Sequence, residues 1–236
     1  FGMVDGSFAT KMTVQFNLFG GTVFRLGSKE QRETLAPKID SSEVVGCFGL
    51  SELGYGNNAV EMETTATYDP ATDEWIVNSP TILSQKYWIT NGACHAHYCV
   101  VFAQMLLHGK NEGVHAFLVP IRDQNLREAP NVKVQDMGIK VGLNGIDNAK
   151  LFFENVRVPR TALLSSQSQV DAQGKYHSEI KGARNRFLKL ADQLLSGRLC
   201  ISAMALSSSK VLLTNTLMFG CTRMGVGPSG KSDTPI

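Results

Sequence analysis

No apolar run in the 236-residue sequence reaches the roughly 18 residues that a membrane-spanning helix needs. Like charges never occur five in a row, and 23 Lys and Arg nearly balance 21 Asp and Glu. Charged residues are scarce at 19%, whereas hydrophobic residues make up 43%. We therefore expect no membrane span and no nucleic-acid partner, and the apolar content excludes intrinsic disorder as the overall class.

Cysteine is also sparse. The five cysteines are scattered along the chain and form no C-x-x-C pair. This pattern favours free thiols, mostly buried, in a reducing compartment.

The length exceeds that of one typical domain and falls short of two. The chain starts at Phe1 rather than at Met, and it stops at Ile236 after a polar stretch. We therefore expect it to be an excerpt of a longer protein.

The spacing of apolar residues changes twice along the chain, which divides it into three regions. Apolar residues between 8 and 40 recur too irregularly for strands, so short helices are predicted there. Ser28 and Gln31 have the spacing of a capping box, in which each side chain bonds the other residue's backbone amide, and this predicts a helix over about 29–37. Beyond residue 183, leucine and other apolar residues follow helical spacing.

The central segment is predicted to be a β domain. Pro70, between Asp69 and Asp73, is typical of a hairpin turn, and no helical pattern interrupts the segment, so an antiparallel barrel or sandwich is expected. Short runs rich in β-branched and aromatic residues lie at 44–51, 62–68, 74–78, 81–90, 98–107, 114–121, 131–136 and 149–157.

Two sequence patterns match known types of ligand site, a phosphate-binding loop and a metal site, but their surroundings or spacing argue against both. Gly225–Ser232 satisfies the P-loop pattern, but a helical pattern precedes it and Pro235 follows, so an exposed loop is favoured over a phosphate site. His95, His97 and Cys99 would share one face of a strand, but at about 3.3 Å per residue they spread over roughly 13 Å, which is too far apart for one tetrahedral metal ion.

Two further segments are not explained by packing alone. Residues 46–58 (GCFGLSELGYGNN) run from an apolar strand into a Gly-rich turn that carries a hydroxyl, a carboxylate and two amides. Residues 86–92 (KYWITNG) place two large aromatic side chains and a hydroxyl at a strand end. Together they suit a flat, partly polar ligand, since aromatic surface permits stacking and glycine permits close backbone approach.

These two segments resemble the flavin-contacting motifs of the acyl-CoA dehydrogenase and oxidase superfamily. The stretches at 63–70 (ETTATYDP), 142–148 (GLNGIDN) and 155–160 (NVRVPR) resemble acyl-CoA oxidases more narrowly. The resemblance implies an α+β fold in which a middle β-barrel domain is flanked by helical domains. It places the end of the N-terminal helical domain at 1–43, the flavin- and acyl-CoA-binding β domain at 44–160, a linker at 161–182 and the start of the C-terminal helical domain at 183–236.

The resemblance also implies roles for individual residues. Acyl-CoA would contact Asn57 and Arg198, and the family's catalytic Glu would lie beyond residue 236, with Glu52 serving only structurally. The residues that would bind FAD are Phe48, Leu50, Ser51, Trp88, Thr90 and, toward the FAD phosphates of a partner subunit, Arg223.

The activity implied is oxidation of acyl-CoA to trans-2-enoyl-CoA by FAD, with O2 reduced to H2O2, in a peroxisomal homodimer. Many oxidases have Gly where this chain has Thr90. A dehydrogenase that passes electrons to a flavoprotein, mitochondrial in that case, is therefore the first alternative. The second is a catalytically silent family member with a structural role.

Overall fold

The computed structural model describes residues 2–191 and 193–235. Its N-terminal region is helical, as predicted. The helix that begins at Lys29 starts at the predicted capping box, where the Gln31 amide donates to Ser28 Oγ at 3.1 Å and the Ser28 amide donates to Gln31 Oε1 at 2.7 Å. The elements are α1 (Gly6–Met12), a π-helical segment (Thr13–Gly20), α2 (Gly21–Leu26) and α3 (Lys29–Asp40).

Strands occupy the central segment. Each predicted run contains one strand except 149–157, which contains two, because Asn155 adopts a left-handed φ of 54° and turns the chain. The strands are β1 (Gly46–Gly49), β2 (Thr65–Asp69), β3 (Glu74–Asn78), β4 (Lys86–Thr90), β5 (Tyr98–Leu107), β6 (Lys110–Pro120), β7 (Val132–Asp136), β8 (Asn148–Phe153) and β9 (Val156–Pro159).

Strand β5 organises the larger of the two central sheets. β1 and β2 lie one after the other along one edge of β5, β6 pairs with its other edge, and β3 and β9 extend the sheet beyond β2. A second sheet has the order β4-β8-β7.

Most of these pairings are antiparallel, as predicted, but β1 and β2 run parallel to β5. Tight turns such as the one at Pro70 specify an antiparallel neighbour, as between β2 and β3. The connections from β1 and from β2 to β5 are long, so the sequence contains no turn that would specify their direction.

The helical segment packs directly on the β domain. The ring of Phe19 lies so close to Gly46 in β1 that a Cβ there would come within 2.2 Å of it. Glycine is therefore required at this point of contact. Phe19 and Val23 share a buried cluster with Phe102 of β5, so the helices and the sheet have a common core.

The C-terminal region is mostly helical. The segment predicted as a linker contains a short hairpin, β10 (Ser168–Val170) and β11 (Tyr176–Ser178), and is followed by α4 (Ala183–Ala191) and α5 (Gln193–Thr222). Apolar side chains of α5 such as Leu199 and Leu206 are exposed.

The P-loop pattern occupies a different setting from that of a phosphate-binding loop. It follows helix α5 and lies in a hairpin of β12 (Met224–Val226) and β13 (Ser232–Pro235). A P-loop requires a strand before it and a helix after it, so the structure supports the exposed-loop interpretation.

The expectation of mostly buried cysteines is wrong. All five are free, as predicted, but Cys94, Cys200 and Cys221 are exposed and only Cys47 and Cys99 are buried. The reason for two of the exposed thiols is that Cys200 and Cys221 belong to α5, which is largely exposed.

Candidate functional site

The structure brings the two unexplained segments side by side. The Tyr87 amide donates to the Ser51 carbonyl at 3.0 Å, and the Leu53 amide donates to the Gln85 carbonyl at 3.0 Å. Between these bonds, Glu52 faces Lys86 in an antiparallel bridge. The Gly-rich turn after β1 and the start of β4 therefore form one continuous surface.

Trp88 supplies exposed aromatic surface there. The pairing of β4 with β8 is irregular between Lys86 and Ile89, and Trp88 within this bulge has a φ of 68°. A left-handed backbone is rare for a bulky residue and is typical of functional positions. The bulge leaves the Trp88 side chain 54% exposed beside the turn, where a flat ligand could stack on it.

Phe48 and Leu50, the other apolar candidates, pack against the buried cluster that contains Phe19 and Phe102. Phe48 is half-buried and packs on Phe102, with ring centroids 4.8 Å apart. Leu50 is half-buried as well. Both side chains lie at the end of β1 and remain partly accessible.

Two hydroxyl groups at this surface have hydrogen-bonding capacity left. Within residues 2–191 and 193–235, the Ser51 hydroxyl has no hydrogen-bond partner. Thr90 Oγ1 accepts a hydrogen bond from Asn148 Nδ2 at 3.1 Å, which leaves its own hydrogen available. Both groups can therefore donate to acceptors on a ligand.

A buried ion pair holds the two segments together. Lys86 Nζ lies 2.9 Å from Glu52 Oε1, and neither side chain is exposed. The ammonium group also donates to the carbonyl oxygens of Phe102 at 2.7 Å and Leu50 at 3.4 Å. Burial lowers the pKa of Lys86, and the attraction of the Glu52 carboxylate opposes that shift.

The loop that carries Asn57 is closed at its base by the same carboxylate. Glu52 accepts from the amides of Glu63 at 2.8 Å and Thr64 at 3.1 Å, so both ends of residues 53–62 are fixed. Tyr55 donates to Glu63 at 2.7 Å, which raises the pKa of Tyr55. The Asn57 side chain is exposed on this anchored loop.

The two candidate arginines lie elsewhere. Arg198 is in α5 and Arg223 directly follows that helix, and both side chains are exposed. In the described part of the chain, neither forms a hydrogen bond or an ion pair with residues 46–57 or 86–91.

The histidines near β5 have structural partners. His97 Nδ1 accepts from the Val45 amide at 3.2 Å, and His95 Nδ1 lies 3.5 Å from the Asp147 carboxylate. Among the described residues no group of three or more His, Cys, Asp or Glu side chains could hold a metal ion.

Neither Lys86 nor Asn148 is assigned a role from the sequence alone. A lysine at the start of an aromatic strand was a detectable signal, because a charge there must find a buried partner if the strand is internal. Asn148 offered no such signal, since its contact with Thr90 depends on the register of β4 with β8.

Comparisons with known proteins agree with this arrangement. Residues 47–156 match the family described as "Acyl-CoA dehydrogenase, middle domain". Acyl-coenzyme A oxidase 3, peroxisomal, of Arabidopsis thaliana is 41% identical over 222 residues, which is 94% of this chain and 33% of that protein. Peroxisomal acyl-coenzyme A oxidase 3 of Homo sapiens is 40% identical over 237 residues, which is 100% of this chain and 34% of that protein.

Solved structures give the same result. Acyl-CoA oxidase 3 of Yarrowia lipolytica superposes with a TM-score of 0.89 at 34% identity, covering 100% of this chain and 34% of that one. Acyl-CoA oxidase-1 of Caenorhabditis elegans, solved with FAD and ATP, superposes with a TM-score of 0.69 at 36% identity, covering 71% and 26%.

The chain thus spans about a third of the length of the curated relatives it matches. In the part of the chain that the structure describes, no helix combines the length and apolarity needed to cross a membrane. Sequence, family match and fold agree on one assignment, and the chain belongs to the acyl-CoA oxidase family of the acyl-CoA dehydrogenase superfamily.

Proposed function

We propose that the full-length protein containing this chain oxidises acyl-CoA to trans-2-enoyl-CoA with FAD and passes the electrons to O2, giving H2O2. The observation that carries the proposal is 41% identity over 94% of the chain to a protein named as a peroxisomal acyl-CoA oxidase. By the same likeness we propose a peroxisomal homodimer that takes part in fatty acid β-oxidation.

The residues at the joined segments fit a flavin. Trp88 offers an exposed ring, Phe48 and Leu50 offer partly exposed apolar surface, and Ser51 and Thr90 offer two hydroxyl donors. A flavin ring needs this combination, because it is flat and apolar on its faces and has acceptor atoms along its edge. We propose that these five residues hold the ring and that Arg223 reaches the FAD phosphates of a partner subunit.

We propose the same division of the chain that the sequence predicted. Residues 44–160 form the flavin- and acyl-CoA-binding domain, residues 161–182 the linker, and 1–43 and 183–236 parts of the flanking helical domains. The exposed apolar side chains of α5 support the last assignment, since such a helix buries them against further elements of its domain.

The chemistry divides between cofactor and protein. Bound FAD would supply the redox chemistry, namely a hydride acceptor for the β-carbon of the acyl group and a route for the electrons to O2. The chain binds and orients the reactants: Asn57, on its anchored loop, and Arg198 contact acyl-CoA. A carboxylate base removes the α-proton, and we propose that it lies outside these 236 residues, because the chain spans only a third of its relatives.

The experiment is a purification of the full-length protein, a measurement of its FAD content, and a turnover assay with saturated acyl-CoA thioesters of several lengths. H2O2 formation in air is expected at a rate matching enoyl-CoA formation. A protein that binds neither FAD nor acyl-CoA would overturn the proposal.

One residue favours a second candidate function. Thr90 offers a hydroxyl where many oxidases have Gly, and dehydrogenases of the superfamily present a hydroxyl there. Reduction of an artificial electron acceptor without H2O2 formation in air would identify a dehydrogenase. Bound FAD without turnover on any acyl-CoA would identify the catalytically silent, structural alternative.

A further inference from the structure

We propose that Asn148 is a positioning residue that makes the Thr90 hydroxyl a dedicated hydrogen-bond donor toward the bound flavin. The inference rests on the proposed function, and the role it assigns to Asn148 goes beyond that function. Thr90 and Asn148 are register partners in the pairing of β4 with β8, so their side chains meet at the edge of the site.

The contacts of Asn148 determine which way its amide points. Its Nδ2 lies 3.1 Å from Thr90 Oγ1 and 3.5 Å from the Trp88 carbonyl oxygen. A carbonyl oxygen can only accept hydrogen bonds, so the atom facing it must be the NH2 group. The same NH2 group must therefore donate to Thr90.

The hydrogen bond from Asn148 restricts the direction in which the Thr90 hydroxyl hydrogen can point. A hydroxyl has one hydrogen and two lone pairs, and it can turn its hydrogen toward whichever acceptor is nearest. With Asn148 donating to it, the hydrogen has no acceptor on that side and points away from Asn148. Thr90 is half-buried and lies two residues after the exposed Trp88 in β4, so that hydrogen is available to an acceptor atom of a ligand bound at this end of the strand.

Asn148 is itself held from several directions. Its side chain is buried, and its backbone carbonyl oxygen accepts from the Met137 amide at 3.0 Å. The adjacent Asp147 carboxylate binds Lys11 Nζ at 2.6 Å and the Cys94 amide at 2.9 Å, which ties this point to α1 and to the turn after β4. A donor fixed in this way loses no orientational freedom when the ligand binds.

The test compares variants of the full-length, FAD-loaded protein. Asn148→Asp replaces the NH2 group with an acceptor, so the Thr90 hydrogen should turn toward it and away from the flavin. Asn148→Ala removes the donor without adding an acceptor. The measurements are the visible absorption spectrum of bound FAD, its dissociation constant and the thermal unfolding temperature.

We expect Asn148→Asp to shift the flavin spectrum in the same direction as Thr90→Val and to weaken FAD binding about tenfold, the value of one lost hydrogen bond. Asn148→Ala should give a smaller shift of the same sign. Thr90→Ser, which keeps the hydroxyl, should preserve the spectrum. Asn125→Asp makes the same substitution on an exposed turn and should change neither quantity.

The double variant Asn148→Asp/Thr90→Val tests whether Asn148 acts on the flavin through Thr90 or has only a structural role. If Asn148 acts through Thr90, the double variant should have the spectrum and affinity of Thr90→Val alone. Additive effects, or a lowered unfolding temperature with an unchanged spectrum in Asn148→Ala, would overturn the inference and leave the proposed function intact. An unmodified protein that binds no FAD would overturn the proposed function and this inference together.

Discussion

Lys86 and Glu52 form an ion pair, 2.9 Å between Nζ and Oε1, in which neither side chain is exposed to solvent. The pair lies where the two segments of the candidate site join, and the ammonium group also binds the carbonyl oxygen of Leu50 in the Gly-rich turn. Because both charges are buried, each depends on the other for its stability. The geometry of the site is thus coupled to this one interaction.

Replacing Lys86 alone should destabilise the protein strongly. In Lys86→Met the Glu52 carboxylate stays buried without its cation, and we expect a loss of about 3–5 kcal/mol in the free energy of unfolding. The double variant Glu52→Gln/Lys86→Met removes both charges and should recover most of that loss. Urea unfolding of the full-length protein measures both values.

Lys133→Met is the matched control for that prediction. Lys133 pairs with Glu154 on the surface, where its side chain is 67% exposed. An exposed pair is worth about 1 kcal/mol or less. Equal losses in Lys86→Met and Lys133→Met would contradict the view that the buried pair holds the site together.

Tyr55→Phe should loosen the loop that carries Asn57. The phenol donates to Glu63, which also accepts from Thr81 Oγ1 and whose pKa these two bonds lower. Without the phenol, we expect faster amide hydrogen exchange in residues 53–62 and a severalfold higher KM for acyl-CoA at unchanged kcat. Hydrogen exchange and steady-state kinetics provide the two measurements.

Tyr68→Phe is the control, because Tyr68 donates to Asp73 at 2.7 Å in the β2–β3 hairpin, at the same distance as in the Tyr55 pair. Its effect should be confined to exchange near residues 69–73. A raised KM in Tyr68→Phe as well would show that the effect is a general loss of stability rather than a local one.

Local features of the fold could be predicted from the sequence because their causes are local. The capping box at Ser28 and Gln31 starts α3 where predicted, and the turn around Pro70 joins β2 to β3. The parallel direction of β1 and β2 on β5 could not be predicted, since it depends on long connections and not on a turn.

The candidate site, too, has features that the sequence predicts and features that it does not. Its two segments were found because glycines, aromatic residues and hydroxyls are unusual at strand ends, and the structure joins them. The contact of Asn148 with Thr90 was not predictable, because a shift of one residue in the β4–β8 register would place Asn148 on the other face.

The buried His115 should make the stability of the protein depend on pH. Its ring is buried, Nδ1 donates to the Gly113 carbonyl at 2.9 Å, and Nε2 accepts from Tyr176 at 3.0 Å. Burial lowers the pKa of His115 from 6.5 to about 4. Between these values the unfolded chain binds a proton that the folded chain does not.

The free energy of unfolding should therefore fall as the pH decreases from 6.5 toward 4. The expected slope approaches 1.4 kcal/mol per pH unit, and the total loss is about 3 kcal/mol. Urea midpoints measured between pH 7.5 and pH 5 give the slope. His115→Gln, which cannot take up the proton, should lower this slope. An identical slope in the variant would show that groups other than His115 cause the pH dependence of stability.

The two tryptophans should separate stability from ligand binding. Trp75 is fully buried in the core, whereas Trp88 is 54% exposed and held at a φ of 68°. We expect Trp75→Ala to cost about 3–5 kcal/mol in the free energy of unfolding. Trp88→Gly should change it by less than about 1 kcal/mol, because glycine adopts the left-handed conformation without strain and little packing is lost.

The affinity for FAD should depend on Trp88 more than on Trp75, the opposite of what is expected for the free energy of unfolding. Trp88→Gly removes the exposed ring on which the flavin is proposed to stack, so the dissociation constant should rise at least tenfold, while Trp88→Phe should retain most of the affinity. Urea unfolding and fluorescence titration with FAD measure the two quantities in the same preparations. If Trp88→Gly bound FAD as tightly as the unmodified protein, the strained backbone at Trp88 would not serve to present an aromatic surface to the cofactor.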